Sequence, residues 1–185
     1  MVWLKHSGSW NNLSKIGLII VFVAATLSIG KPGISADTKT DEMGTVEFEL
    51  PDELGTLTFA VPSHWVGGNT EGVDALWIDQ HASPFKDNVT LKIRPLKKYE
   101  DSEKLLDVYM NKLIENLDST PLTETEESTG RRSMVFATST SNLDLTQTVQ
   151  VLYAESTDKS YLLVLNHSRL TTGEPLDLSN ATIVN

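Results

Sequence analysis

The chain contains no cysteine. That excludes disulfides, thiolate metal sites, a cysteine nucleophile and a lipid anchor on an N-terminal cysteine, and it leaves no redox signature of the compartment. Basic side chains are scarce beside acidic ones: 15 Lys and Arg stand against 25 Asp and Glu, for a formal net charge of -10. The three basic residues before Ala36 (Lys5, Lys15 and Lys31) stand there without an acid, so the remainder of the chain holds 12 basic against 25 acidic residues and lies near -13. Such a field repels nucleic acid and anionic lipid headgroups. No nucleic-acid partner is therefore expected, and a membrane is expected to be met only through an uncleaved leader. Glycine-rich phosphate loops and a serine in a Gly-x-Ser-x-Gly setting are also missing, so neither phosphate binding nor nucleophilic catalysis is expected.

One sustained apolar stretch is present, Ile16 to Gly30, bounded by Lys15 and Lys31. As a helix it spans about 22 Å, short of a hydrocarbon core of about 30 Å. The breakers Gly30, Pro32 and Gly33, with Ser35 and Ala36 before Asp37, complete the pattern of a secretory signal cleaved after Ala36. Ile34 departs from the small-residue rule and keeps an uncleaved anchor as the alternative. The chain thus divides into a signal over 1–36, a tether over 37–44 and one domain over 45–185, placed outside the cytoplasm at a cell envelope.

In that domain Val46, Phe48 and Leu50, then Leu57, Phe59 and Val61, alternate with polar residues, as a hairpin of half-buried strands requires. Pro62 closes the second strand. Gly67, Gly68, Asn69 and Gly72 predict a loop, and Ala75 to Asp79 a short strand. Val89, Leu91 and Ile93 alternate with Thr90, Lys92 and Arg94; from Ser102 the apolar period changes to Leu106, Tyr109, Met110, Leu113 and Leu117, the spacing of a helix. Asp101 is placed to cap it. A meander comes next, in strands near 122–128, 132–139, 143–155 and 161–168, with turns too short for parallel returns. The fold class is α+β: an antiparallel sheet with a helix on one face and a short C-terminal segment towards the other. The helix is expected on the face of Val89, Leu91 and Ile93 or the matching face of a neighbouring strand.

The order of these features, a strand ending in Val61-Pro-Ser-His-Trp65, a loop, the strand Val89-Thr-Leu-Lys-Ile93, one amphipathic helix and a meander, resembles the Mog1/PsbP-like superfamily and, within it, the actinobacterial LpqN/LpqT-type secreted proteins. The resemblance covers roughly 45–170. It implies an α/β/α sandwich used as a binding or assembly scaffold, without enzymatic activity or cofactor. The chain departs from that family in lacking the lipid-attachment cysteine and in having only a stub after Pro175.

His64, His81 and His167 are scattered without a ligand spacing, so no metal site is expected. Asp74 and Asp79, flanking a strand, could act as a pair only if the preceding loop folded back. Trp65 and Trp77 are candidates to line an apolar groove for an acyl chain or a partner's side chain. Leu162 and Val164 lie on the opposite face of the last long strand from Tyr161, Leu163 and Leu165, so both faces of that strand need covers. The tail offers few apolar residues, so Leu162, Val164, Ile183 and Val184 are expected to border an open surface for an envelope protein, a lipid or a second copy of the chain. The functional expectation is a non-catalytic binding domain of the bacterial cell envelope. The alternative is an envelope hydrolase or metal-dependent enzyme whose site is assembled from distant residues.

N-terminal sequencing of the exported protein should return Asp37 or a neighbour within a few residues. Full-length chain retained in the membrane fraction would contradict the signal reading.

Overall fold

A computed structural model describes residues 42–184 apart from 83, 99–100, 118–120, 124–126 and 141–142. The expected leader, most of the tether and the helix stop at 118–120 lie outside the described residues. The alternation that opens the domain forms its hairpin: β1 (Met43–Glu49) and β2 (Thr56–Pro62) pair antiparallel from Met43 opposite Pro62 to Glu49 opposite Thr56. The first strand begins at Met43, ahead of the domain start expected at Thr45. β3 (Val66–Gly68) is a strand where the glycines predict a loop. Glycine has little preference for a strand of its own, and here the pairing with β4 (Ala75–Ile78) imposes it, Gly67 lying opposite Trp77.

β5 (Asn88–Lys97) leads to α1 (Ser102–Leu117), whose first turn is capped by Asp101 accepting from the Lys104 amide at 3.0 Å. Next come β6 (Pro121–Thr123) and β7 (Glu127–Ser128), then β8 (Arg131–Thr140), β9 (Leu143–Glu155) and β10 (Lys159–Leu170). β11 (Thr182–Val184) ends the described chain. The large sheet runs β3-β4-β5-β10-β9-β8-β6, with β7 also on β8, and every ladder is antiparallel. β10 sits between β5 and β9, and residues 160–168 are buried without interruption.

The two faces of β10 have different covers. Leu162 and Val164 pack with Met134, Phe136, Val149 and Val151 against Leu105, Leu106, Tyr109, Met110 and Leu113 of α1. Tyr161, Leu163 and Leu165, with Val89 and Leu91 of β5, pack against Leu57, Phe59 and Val61. The helix therefore does not lie on the Val89 and Leu91 face, as expected, but on the reverse of the sheet. The second cover is a three-stranded sheet, β1-β2-β11, in place of the helix that an α/β/α sandwich would supply. Sheet-on-sheet packing closes this side because β1 and β2 turn alternate apolar residues inward and β11 adds Ile183.

This arrangement corrects the expected open surface. Leu162 and Val164 are 1% and 6% exposed beneath α1, whereas Ile183 and Val184 lie in β11 on the other side of the large sheet. They share no surface. The tail reaches its place because Arg131 of β8 donates to the carbonyls of Ser179 and Ala181, while Leu178 and Ala181 are buried between the sheets. On the helix side, buried Arg132 pairs with Glu103 at 2.8 Å and Asp107 at 2.9 Å, and Glu103 also accepts from the Gly130 amide at 2.8 Å. Two successive arginines of β8 thus point to opposite faces and fasten the two covers.

Leu113 and Leu57 are both fully buried, one in each cover. Each truncated to alanine should lower unfolding free energy by about 2–5 kcal/mol, measured by denaturant titration. An unchanged midpoint for either would show that its layer is not packed as described.

Candidate functional site

Trp65 follows the break at Pro62, where its amide bonds the Pro62 carbonyl at 2.9 Å and closes a tight turn. Trp77 stands on β4 facing the small sheet, edge-on to Phe59 at 4.9 Å and to Phe48 at 6.2 Å between ring centroids. Both indoles are half-buried, and both line an open cleft of about 320 Å³ with Thr45, Val46, Val61 and Ser63. The groove expected for Trp65 and Trp77 is present as geometry. Its lining mixes hydroxyls and backbone with the indoles.

Behind Trp65, 6.0 Å from its ring, lies His167 of β10, which is 1% exposed and whose Nδ1 has no hydrogen-bond partner. Burial is the main reason that its pKa falls from 6.5 to about 4, with the Arg169 charge adding to it. Gln150 faces the same interior, since it pairs with Leu165, and its Nε2 is also buried without a partner.

His64 and His81 gather nearby. His64 Nε2 lies 3.5 Å from Asp79 Oδ2, and the His64 and His81 rings are 6.2 Å apart. Asp79 uses its other oxygen to accept from the amides of His81 at 2.8 Å and Ala82 at 3.2 Å, a turn that carries the chain off β4. Asp87 lies across this turn, its carbonyl bonded to the Asp79 amide at 2.9 Å. Burial foremost raises the Asp87 carboxyl pKa, the nearby Asp79 adding to the rise while the Leu170 backbone and Arg169 oppose it. Histidines distant in sequence thus meet at one end of the sheet, yet no group of three or more His, Cys, Asp or Glu among the described residues has metal-holding geometry. Asp74 is at the other end of β4, where it accepts from the Ile93 amide at 2.7 Å and sits 3.8 Å from Lys92. It does not pair with Asp79.

A larger groove, about 1120 Å³, opens at the β1–β2 turn between Phe48, Ile93 and the acids Glu47, Glu49, Asp52, Glu53 and Asp74. Asp52 and Glu53 both hold positive φ, 54° and 59°, which non-glycine residues seldom adopt. Asp52 is fastened there by Lys159 at 2.8 Å and by the Tyr161 hydroxyl. Those two hydrogen bonds, Lys159 first, hold its carboxyl below the usual range. Sequence reasoning missed this groove because its walls come from the first hairpin, from Asp74 just before β4 and from Ile93 of β5, which only the packing of two sheets brings together. The chain also carries three Ser-x-x-Lys spacings, Ser28 with Lys31 in the expected leader, Ser83 with Lys86 and Ser156 with Lys159, which the expectation of no nucleophile passed over. Lys86 donates to the Gln80 carbonyl at 2.6 Å and Lys159 to Asp52 at 2.8 Å, so both amines are engaged elsewhere; Ser28, Lys31 and Ser83 lie outside the described residues.

In fold the chain is similar to LpqN of Mycobacterium tuberculosis. The crystal structure of that protein, which is involved in cell envelope biogenesis, matches with a TM-score of 0.50 and 15% identity over 70% of this chain and 80% of LpqN. No family model matches the chain, and neither does any curated protein. At that identity the likeness to LpqN speaks of the antiparallel sheets and the helix, not of site residues. Among the described residues no helix is long and apolar enough to cross a membrane.

His167 gives a pH prediction. Its folded pKa lies below its unfolded value, so between pH 6.5 and about 4 the unfolded chain binds a proton that the folded chain excludes. Stability should fall as pH drops through that window, by on the order of 3 kcal/mol in all. His167→Gln should flatten this slope in pH-dependent melts, whereas Asp87, shifted the other way, remains in both proteins. An identical slope in both would mean that His167 is protonated when folded.

Proposed function

We propose that the chain is a non-catalytic binding domain that acts outside the cytoplasm on a protein or lipid component of a bacterial cell envelope. The observation that carries this is the Trp65 and Trp77 cleft. Its indoles are held before any ligand arrives, Trp77 by Phe48 and Phe59 and Trp65 by its turn and its position over His167. Aromatic surface fixed in an open concavity is the usual material of a binding site, because little side-chain freedom is lost when it is covered. Near the cleft, Asp79 holds the turn after β4 through backbone amides and His167 is buried and neutral at pH 7, while Glu47 is the one carboxylate on the cleft lining. These roles favour binding over proton transfer. The fold shared with LpqN, a protein of cell envelope biogenesis, supports the envelope setting.

The test is retention of envelope components from a bacterial membrane extract on the immobilised protein, read by mass spectrometry for lipids and proteins. One class should be enriched and should fall about tenfold with Trp65→Ala, compared well below the melting transition of both proteins because the indole also packs on the core. Equal retention by the variant, or turnover of a retained component, would overturn this reading.

A further inference from the structure

β1 is an edge strand: β2 pairs with one side of it, and among the described residues no strand pairs with the other. The direction of its free backbone groups follows from the ladder. The Ser63 amide bonds the Glu42 carbonyl at 2.7 Å and the Leu50 amide bonds the Gly55 carbonyl at 2.9 Å. With Met43 opposite Pro62 and Glu49 opposite Thr56, the even-numbered residues of β1 are the ones bonded to β2. The N–H and C=O groups of Met43, Thr45, Glu47 and Glu49 therefore point to the free edge. Side chains alternate on the same period, Val46 and Phe48 turning inward while Glu47 and Glu49 are exposed.

Both concavities lie along this edge. The Trp65 and Trp77 cleft borders Gly44 to Glu47, and the acid-walled groove borders Glu47 to Glu49, so Glu47 is common to the two. Of the acids in the groove, Asp52 is paired with Lys159 and Asp74 with Lys92, whereas Glu47, Glu49 and Glu53 form no ion pair with another described residue. Unpaired strand edges invite further strands, and charge on the edge decides which. A second copy of β1 would bring Glu47 and Glu49 against their own kind, which disfavours self-association. A strand with basic residues at every second position would instead neutralise them, and its alternate side chains would turn inward over Phe48, Ile93 and the indoles.

We propose that the free edge of β1 takes up an extended segment of a partner protein in which basic and apolar residues alternate, added as a further strand of the small sheet. This rests on the reading of the Trp65 and Trp77 cleft as a binding site, and it gives that site a peptide as its ligand. Main-chain bonds supply a register, the acids select lysine or arginine on the outer face, and the cleft receives an apolar side chain at the Met43 end.

The probe is a capped heptapeptide of alternating lysine and valine, titrated into the purified full chain and followed by tryptophan fluorescence and by amide hydrogen exchange. Binding should protect the amides of Thr45, Glu47 and Glu49. It should weaken about tenfold when the backbone nitrogens of the two inner lysines, whose amides face β1 in an antiparallel pairing, are methylated, which removes ladder donors, and about tenfold in the double variant Glu47→Lys, Glu49→Lys. Both acids are exposed, so the variant should keep the wild-type melting temperature. Equal binding of the methylated peptide, equal binding by the charge-reversed variant, or no binding of the lysine peptide would each overturn the proposal. If the peptide fails while envelope components are still retained through Trp65, the strand-addition proposal falls and the binding reading stands.

Discussion

A strand with no polar face cannot border water, and β10 is such a strand. Leu162 and Val164 on one side and Tyr161, Leu163 and Leu165 on the other oblige the chain to build two covers, and most of the remaining sequence is devoted to them. At about 25 cal/mol per Å² of apolar surface removed from water, each layer outweighs any single polar contact in the molecule. The polar contacts set where the covers lie. Arg132 fixes the helix through Glu103 and Asp107, and Arg131 fixes the tail through two backbone carbonyls. Asp52, Lys159 and Tyr161 tie the turn of the first hairpin to the far end of β10.

The second cover also accounts for the shape of the surface. A three-stranded sheet laid over a larger one leaves an edge, and at that edge the two sheets part into concavities floored by core residues. Trp77 and Phe48 belong to the core cluster and to these concavities at once. The positions that could meet a partner are therefore held by the same packing that covers β10, which is the preorganisation a binding surface needs. In the proposed strand addition, the acidic side chains on the exposed face of β1 would disfavour a like edge and favour a strand of opposite charge.

Much of this was legible in the sequence because it is local. The period of two at Val46, Phe48 and Leu50, the change of period after Ser102, and the two-faced run from Tyr161 to Leu165 each named its element, and Asp101 named the helix start. The side of the sheet on which α1 lies was not legible, since both faces of β10 are apolar and the connection from Lys97 to Ser102 permits either. The covering role of β1, β2 and β11 was hidden because Leu57, Phe59 and Val61 announce a strand without announcing its partner sheet. Strand β3 was missed because Gly67 and Gly68 carry no strand preference. His64, His81 and Asp79 read as scattered because their meeting depends on a turn that Asp79 itself caps.

Amide hydrogen exchange of the full chain in native buffer tests most directly whether the small sheet is an integral cover of β10. Amides of β10 bonded to β5 and β9 should exchange only with global unfolding, and those joining β1 to β2 should approach the same protection, because uncovering Leu163 and Leu165 costs most of the stability of the fold. Rapid exchange throughout β1 and β2 while β10 stays protected would contradict the account, since the face of Tyr161, Leu163 and Leu165 would then have to be covered by something other than the small sheet.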